Sequence, residues 1–145
     1  MDIEEQRHGS ILILEPVGTV DESAAKELQK KVTEILAAGE KRIVLDLQRA
    51  DRVCGAGLRV LLMLSKKLES LCGGLVLSSP SAEVMKSLQV AGLSRLLVTR
   101  ASRKEAVQHL LADETIERVT ELAAELLASA DRRDGIEEEG SPPPS

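Results

Sequence analysis

Two periods of apolar residues alternate along this chain. Short unbroken runs bounded by turn formers mark strands, and apolar residues recurring every three or four positions mark helices. Ile11-Leu12-Ile13-Leu14, Ile43-Val44-Leu45-Asp46-Leu47 and Leu75-Val76-Leu77 are runs of the first kind and predict buried strands. Residues 2–7 predict a short edge strand, joined to the Ile11 strand by a hairpin at His8-Gly9-Ser10, and Leu96-Leu97-Val98 predicts a further short strand. The helical period fills the gaps. Leu28, Val32, Ile35 and Leu36 form one stripe, started by Asp21 as N-cap and stopped by Gly39. Leu58, Leu61, Leu62, Leu68 and Leu71 form a second, with Arg59, Lys66, Lys67 and Glu69 on the other face and Gly73-Gly74 as its stop. Ser79-Pro80 reads as an N-cap and N1 proline for a third helix through Val84, Met85 and Leu88, ending at Gly92. Ser102-Arg103-Lys104-Glu105 has capping-box spacing and starts a fourth through Val107, Leu110 and Leu111.

Strands separated by helices of this length need crossover connections, which predicts an α/β fold with a mainly parallel sheet of four to five strands. Runs without alternation suit a sheet interior. Beyond this unit, Ile116, Val119, Ala123, Leu126, Leu127 and Ala130 line one face of an extra C-terminal amphipathic helix, and Glu117, Glu121 and Glu125 take other faces. That stripe can pack on its own domain or form a homodimer. Its acidic polar side argues against a membrane surface. From Asp131 onward little is left to bury, and Gly140-Ser141-Pro142-Pro143-Pro144-Ser145 reads as disordered. The expected organisation is an α/β domain over 1–112, the extra helix over 113–131, and a disordered acidic, Pro-rich tail over 132–145.

Composition narrows the function classes. Apolar residues make up 43% of the 145, enough for one domain with a sizeable core. The net charge is −5, and residues 131–145, with five carboxylates against two arginines, hold −3 of it, leaving −2 on the body. A body so near neutrality offers no basic stripe for a phosphate backbone. The aromatic content is zero, so bases have no ring to stack on and cation–π cages are excluded. No nucleic acid partner is expected, and any protein interface must rely on Leu, Met, Val and Arg anchors. No apolar run reaches membrane-spanning length, and the acidic start Met1-Asp2-Ile3-Glu4-Glu5 lacks a signal-peptide layout, so a cytoplasmic protein is expected, without membrane insertion. Cys54 and Cys72 bracket the second helix, ~20 Å apart, and are not expected to pair.

The chemistry-bearing segment is the junction Val53-Cys54-Gly55-Ala56-Gly57-Leu58, where a small-residue loop opens onto the second helix. The first N–H groups of a helix lack intrahelical partners and carry the positive end of its dipole, so this junction is a docking surface sensitive to negative charge. The glycines do not form a phosphate loop, because no Lys-Ser/Thr pair follows them. Asp21 and Asp46 lie at strand ends on one edge and so admit acid–base chemistry, but the plainer roles are an N-cap for Asp21 and a loop-supporting hydrogen-bond acceptor for Asp46. No nucleophile elbow and no metal-ligand spacing around His8 or His109 is present, so neither an enzyme, a metal nor another cofactor is expected.

The same residues carry a resemblance. The strand ending in Asp46-Leu47, followed by Ala56-Gly57-Leu58 at the head of a helix, resembles the signature of STAS domains, the family of bacterial anti-sigma factor antagonists. Gly18-Thr19-Val20-Asp21 is similar to the family's turn before its first helix, and Ala91-Gly92-Leu93 to the exit of its third. The resemblance covers roughly residues 3–112 and implies a mixed sheet with four helices mostly on one face. It also implies a non-catalytic module that binds an anti-sigma factor of histidine-kinase-like ATPase fold in a partner-switching pathway. Asp21, Cys54, Gly55, Ala56, Gly57, Leu58 and Arg59 would meet that partner. In phosphoregulated members the kinase modifies a serine two residues before the motif glycine. Here that phosphorylation-equivalent position is Gly55, which has no hydroxyl, and Cys54 stands where many relatives have Asp. A phosphate brings about −1.5 to −2 charges to the surface. Without it, docking is expected to persist, or to be controlled otherwise. One candidate is Cys54, since a helix N-terminus can activate a thiol; the plainer reading is a small, half-buried residue. The rival reading for the whole chain is a STAS accessory or scaffold subunit of a transporter or larger signalling complex.

Overall fold

The computed structural model describes the backbone of residues 2–137 and side chains as far as residue 129. Its described residues divide into two units, the first ending at Leu111 and the second beginning at Ala112. The first unit holds six strands: β1 (Asp2–His8), β2 (Ile11–Val20), β3 (Arg42–Asp46), β4 (Ala50–Val53), β5 (Gly74–Ser78) and β6 (Val98–Arg100). Between them lie α1 (Glu22–Ala37), α2 (Gly55–Ser70) and α3 (Ala82–Val90), and α4 (Arg103–Glu137) begins in this unit.

The strand order is β1-β2-β3-β5-β6, with β4 paired to β2 off this path. Only β1–β2 is antiparallel, as expected for a hairpin; β2–β3, β3–β5, β5–β6 and β2–β4 are parallel. The sheet is therefore mixed and mainly parallel, with six strands instead of four to five. The strand missing from the sequence reading is β4. It is four residues long, and Asp51 and Arg52 at its centre are exposed. The long β2 makes it a strand: Leu12–Leu14 pair with Ile43–Leu45, and the other end of β2 pairs with β4, bringing Val20 beside Val53.

The unbroken apolar runs are explained by burial on both sheet faces. Leu12, Leu14, Ile43, Leu45, Leu75 and Leu77 point to the core shared with α1, α2 and α3. The alternate residues Ile11, Ile13, Val44 and Val76 pack against Ala106, Val107 and Leu110 of α4. Three helices thus cover one face and the start of α4 covers the other, each face taking every second residue of a strand.

Two helix ends differ from expectation. Ser81, not Ser79, caps α3, its Oγ accepting from Val84 N–H at 3.1 Å, while Ser79 adopts φ +53°. At the end of α2 the left-handed position is filled by Cys72 (φ +62°), and Gly73 serves another need: a Cβ there would lie 1.8 Å from the carbonyl oxygen of Lys41. Both cysteines are free. Asp21 and Ser102 act as expected. Asp21 Oδ1 accepts from Ala24 N–H at 2.8 Å, and Ser102 Oγ accepts from Glu105 N–H and donates to its carboxylate, both at 3.2 Å.

Residues 112–137 continue α4 without a break, so the fourth helix and the extra C-terminal helix are one element. No Gly or Pro lies between Ser94 and Asp134 to stop it. Contrary to the tail expected over 132–145, α4 carries residues 132–137 as helix, and residues 138–145 lie outside the described residues.

Candidate functional site

The sheet brings two helix N-termini together. β2 ends at Val20 and hands over to α1 through Asp21; β4 ends at Val53 and hands over to α2 through Cys54. Because Val20 and Val53 are paired neighbours, the two handover residues are neighbours as well, and Cys54 N–H donates to the Val20 carbonyl at 2.9 Å. The two N-termini differ chemically. That of α1 is capped by Asp21 and carries Glu22 in its first turn. That of α2 has Cys54 as N-cap with no side-chain hydrogen bond and no acidic residue in its first turn. The positive end of the α2 dipole is therefore not offset by its own sequence.

The residues singled out by sequence divide into a surface layer and a support beneath it. Asp21, Gly55 and Arg59 are exposed, and Cys54 and Ala56 are half-buried. Gly57 and Leu58 are buried and hold the helix start down from within. Gly57 has a steric reason: a Cβ there would sit 2.8 Å from Val53 Cγ1 and 3.0 Å from Val20 Cγ1. Gly55, first residue of α2, has nothing within 4 Å of the equivalent position. One glycine is demanded by packing, while the other stands in open space.

Two depressions flank the helix starts. A groove of about 440 Å³ runs between α1 and α2, lined by Glu22, Lys26, Gln29, Ala56, Arg59 and Met63. A cleft of about 450 Å³ opens beside Asp21 and Cys54, bordered by Arg52, Glu83 and Ser87. Arg52 Nε lies 3.3 Å from Glu83 Oε1 across that border. Met63, 44% exposed, gives the groove an apolar contact on a chain without aromatic residues. Lys26, Gln29, Arg52, Met63 and Glu83 were not singled out from sequence. The signal available for Met63 was an apolar side chain off the buried stripe of α2.

Asp46 is the residue the structure places elsewhere. It is 1% exposed; Oδ1 accepts from Gln48 N–H at 3.1 Å and Oδ2 from Arg103 Nε at 2.8 Å. It supports the β3–β4 turn and the start of α4, rather than the loop at 54–58. Arg103 also donates to Gln6 Oε1 at 2.6 Å and approaches Glu15 Oε1 at 3.4 Å, while Arg49 lies 3.0 Å from Glu4 and 3.7 Å from Glu15. Asp21 and Asp46 are thus each engaged in holding backbone or charge. Among the described residues, no three His, Cys, Asp or Glu side chains are grouped to hold a metal ion, and no helix is long and apolar enough to cross a membrane.

Comparison with known proteins agrees with this architecture. The family profile described as STAS domain matches residues 2–106. A Bordetella bronchiseptica protein named as an anti-sigma factor antagonist, BtrV, is 34% identical over 89 residues, covering 61% of this chain and 77% of that one. Among solved structures, an anti-sigma factor antagonist from Thermotoga maritima, TM1081, superposes with a TM-score of 0.71 at 24% identity, covering 74% of this chain and 93% of that one. The unphosphorylated anti-sigma factor antagonist SpoIIAA gives a TM-score of 0.67 at 20% identity, covering 77% and 97%. With the mixed sheet, the paired helix starts and the profile match all in hand, the chain belongs to the STAS domain family.

Proposed function

We propose that this protein is an anti-sigma factor antagonist: a non-catalytic module that binds an anti-sigma factor of kinase-like ATPase fold and so frees a sigma factor for transcription. The named relative supports the antagonist role. The docking face on this reading is the uncapped start of α2, with Asp21, Cys54, Gly55, Ala56 and Arg59 at its surface and the α1–α2 groove beside it. Gly57 and Leu58 shape that face from beneath. The helix beyond residue 112 lies outside the family match.

One observation carries the regulatory part. Gly55 is exposed at the head of α2, where a phosphorylated relative would present its serine, and it offers neither hydroxyl nor Cβ. The partner's kinase activity therefore has no acceptor at this position, and the complex persists in ATP. The test starts with affinity capture from native lysate and identification of the retained ATPase. Incubation with that ATPase and ATP should leave the wild-type mass unchanged and the complex intact. The Gly55→Ser variant should gain one phosphoryl group and dissociate. A wild-type chain that acquires phosphate and is released overturns the proposal. Retention of a transporter ATPase in place of an anti-sigma factor would favour the accessory-subunit reading.

A further inference from the structure

The second unit presents an apolar row with no cover among the described residues. Ile116, Val119, Leu122, Leu126 and Leu127 are each 59–68% exposed, far more than the leucines of the first unit's core. Their spacing is a heptad: Ile116 and Ala123 take position a, Val119 and Leu126 take d. The flanking e and g positions within 112–129 are Asp113, Thr115, Thr120, Leu122, Leu127 and Ser129, of which only the first is charged. The other charges sit on the far side: Glu114 and Glu121 at f, Glu117 at b, Arg118 and Glu125 at c. Thr120 Oγ1 donates to the Ile116 carbonyl at 2.9 Å and Arg118 lies 3.7 Å from Glu114, so local contacts support the helix without covering the row.

We infer that residues 112–129 of α4 pair in parallel and in register with the same segment of a second copy of this chain. The symmetry of the pattern selects this occupant. A parallel, in-register pair brings each a and d residue against its own copy and sets g against the following e of the partner. That places Thr115 beside Thr120 of the partner subunit and Leu122 beside Leu127 of the partner subunit, polar with polar and apolar with apolar. Glu114, Glu117, Glu121 and Glu125 stay on the outer faces, where like charges do not meet. The row's five large side chains offer roughly 500 Å² per copy at about 100 Å² each. The pair then buries roughly 1,000 Å², at the threshold that separates biological interfaces from incidental contacts.

The measurement is the mass of the full chain by light scattering at micromolar concentration, with cysteine cross-linking for register. The expected mass is twice the 15.6 kDa of one chain. Leu126→Glu should return the mass to one chain without altering the unfolding midpoint of the first unit, since Leu126 is exposed. In a background with Cys54 and Cys72 replaced by serine, Ile116→Cys and Ala123→Cys should each form a disulfide-linked dimer on mild oxidation, and Glu121→Cys should not. A wild-type mass of one chain, or of more than two, overturns the inference. So does cross-linking at only one of positions 116 and 123, which is the mark of an antiparallel pair. None of these outcomes depends on anti-sigma factor binding.

Discussion

Two glycines separated by one residue in the first turn of α2 should respond oppositely to the same substitution. At Gly55 the backbone is ordinary and a Cβ meets nothing within 4 Å. Gly55→Ala removes freedom from the unfolded chain and adds helix propensity, so it should stabilise by about 0.4–1 kcal/mol. At Gly57 the same gain is opposed by contacts of 2.8 and 3.0 Å with Val53 Cγ1 and Val20 Cγ1. Valine is stiff at χ1, and both valines are buried in the paired strand ends, so they yield only by moving β2, β4 or the helix. Overpacking of this kind costs about 1–3 kcal/mol. Net of the entropic gain, Gly57→Ala should destabilise by up to about 2.5 kcal/mol, and the two variants should differ by the overpacking cost itself, about 1–3 kcal/mol. Urea unfolding followed by far-ultraviolet circular dichroism reads both midpoints, with an unchanged denaturant slope confirming that native and denatured states are comparable. Equal midpoints for the two variants would refute the steric account of Gly57 and the separation of this turn into packed and open positions.

Other substitutions test the remaining contacts. Arg103→Ala strands the Asp46 carboxylate, which is 1% exposed, and should cost about 2–4 kcal/mol, below the loss for a fully buried pair because Arg103 is about a third exposed. Adding Asp46→Asn to that variant should recover part of the loss, and strictly additive effects in the double-mutant cycle would show that the two side chains are not coupled. Asp21→Ala removes the hydrogen bond to Ala24 N–H and should lower stability by about 1 kcal/mol in thermal or urea unfolding. Arg59→Glu should leave the unfolding midpoint within about 0.5 kcal/mol, since Arg59 is exposed, yet weaken capture of the ATPase partner at least tenfold in a titration; unchanged affinity would remove Arg59 from the docking face.

Sequence determined most of the elements, because their signals are local. The unbroken runs at Ile11, Ile43 and Leu75 require burial on both faces, and the caps at Asp21 and Ser102 need only a side-chain oxygen three residues before a free N–H. The small-residue junction at 54–58 was legible as a helix start for the same reason. Tertiary structure decided what depends on residues distant in the chain. Ala50–Val53 is a strand because β2 extends beyond β3 and offers it unpaired backbone, not because its own half-charged sequence prefers one. Gly57 is fixed by two valines brought together by that pairing, and Gly73 by the backbone of Lys41. Asp46 turned to Arg103, 57 residues away, because the start of α4 packs on the opposite sheet face from α1–α3. Local periodicity names the pieces, but which helix starts become neighbours is set by strand register, and no short window of sequence contains that.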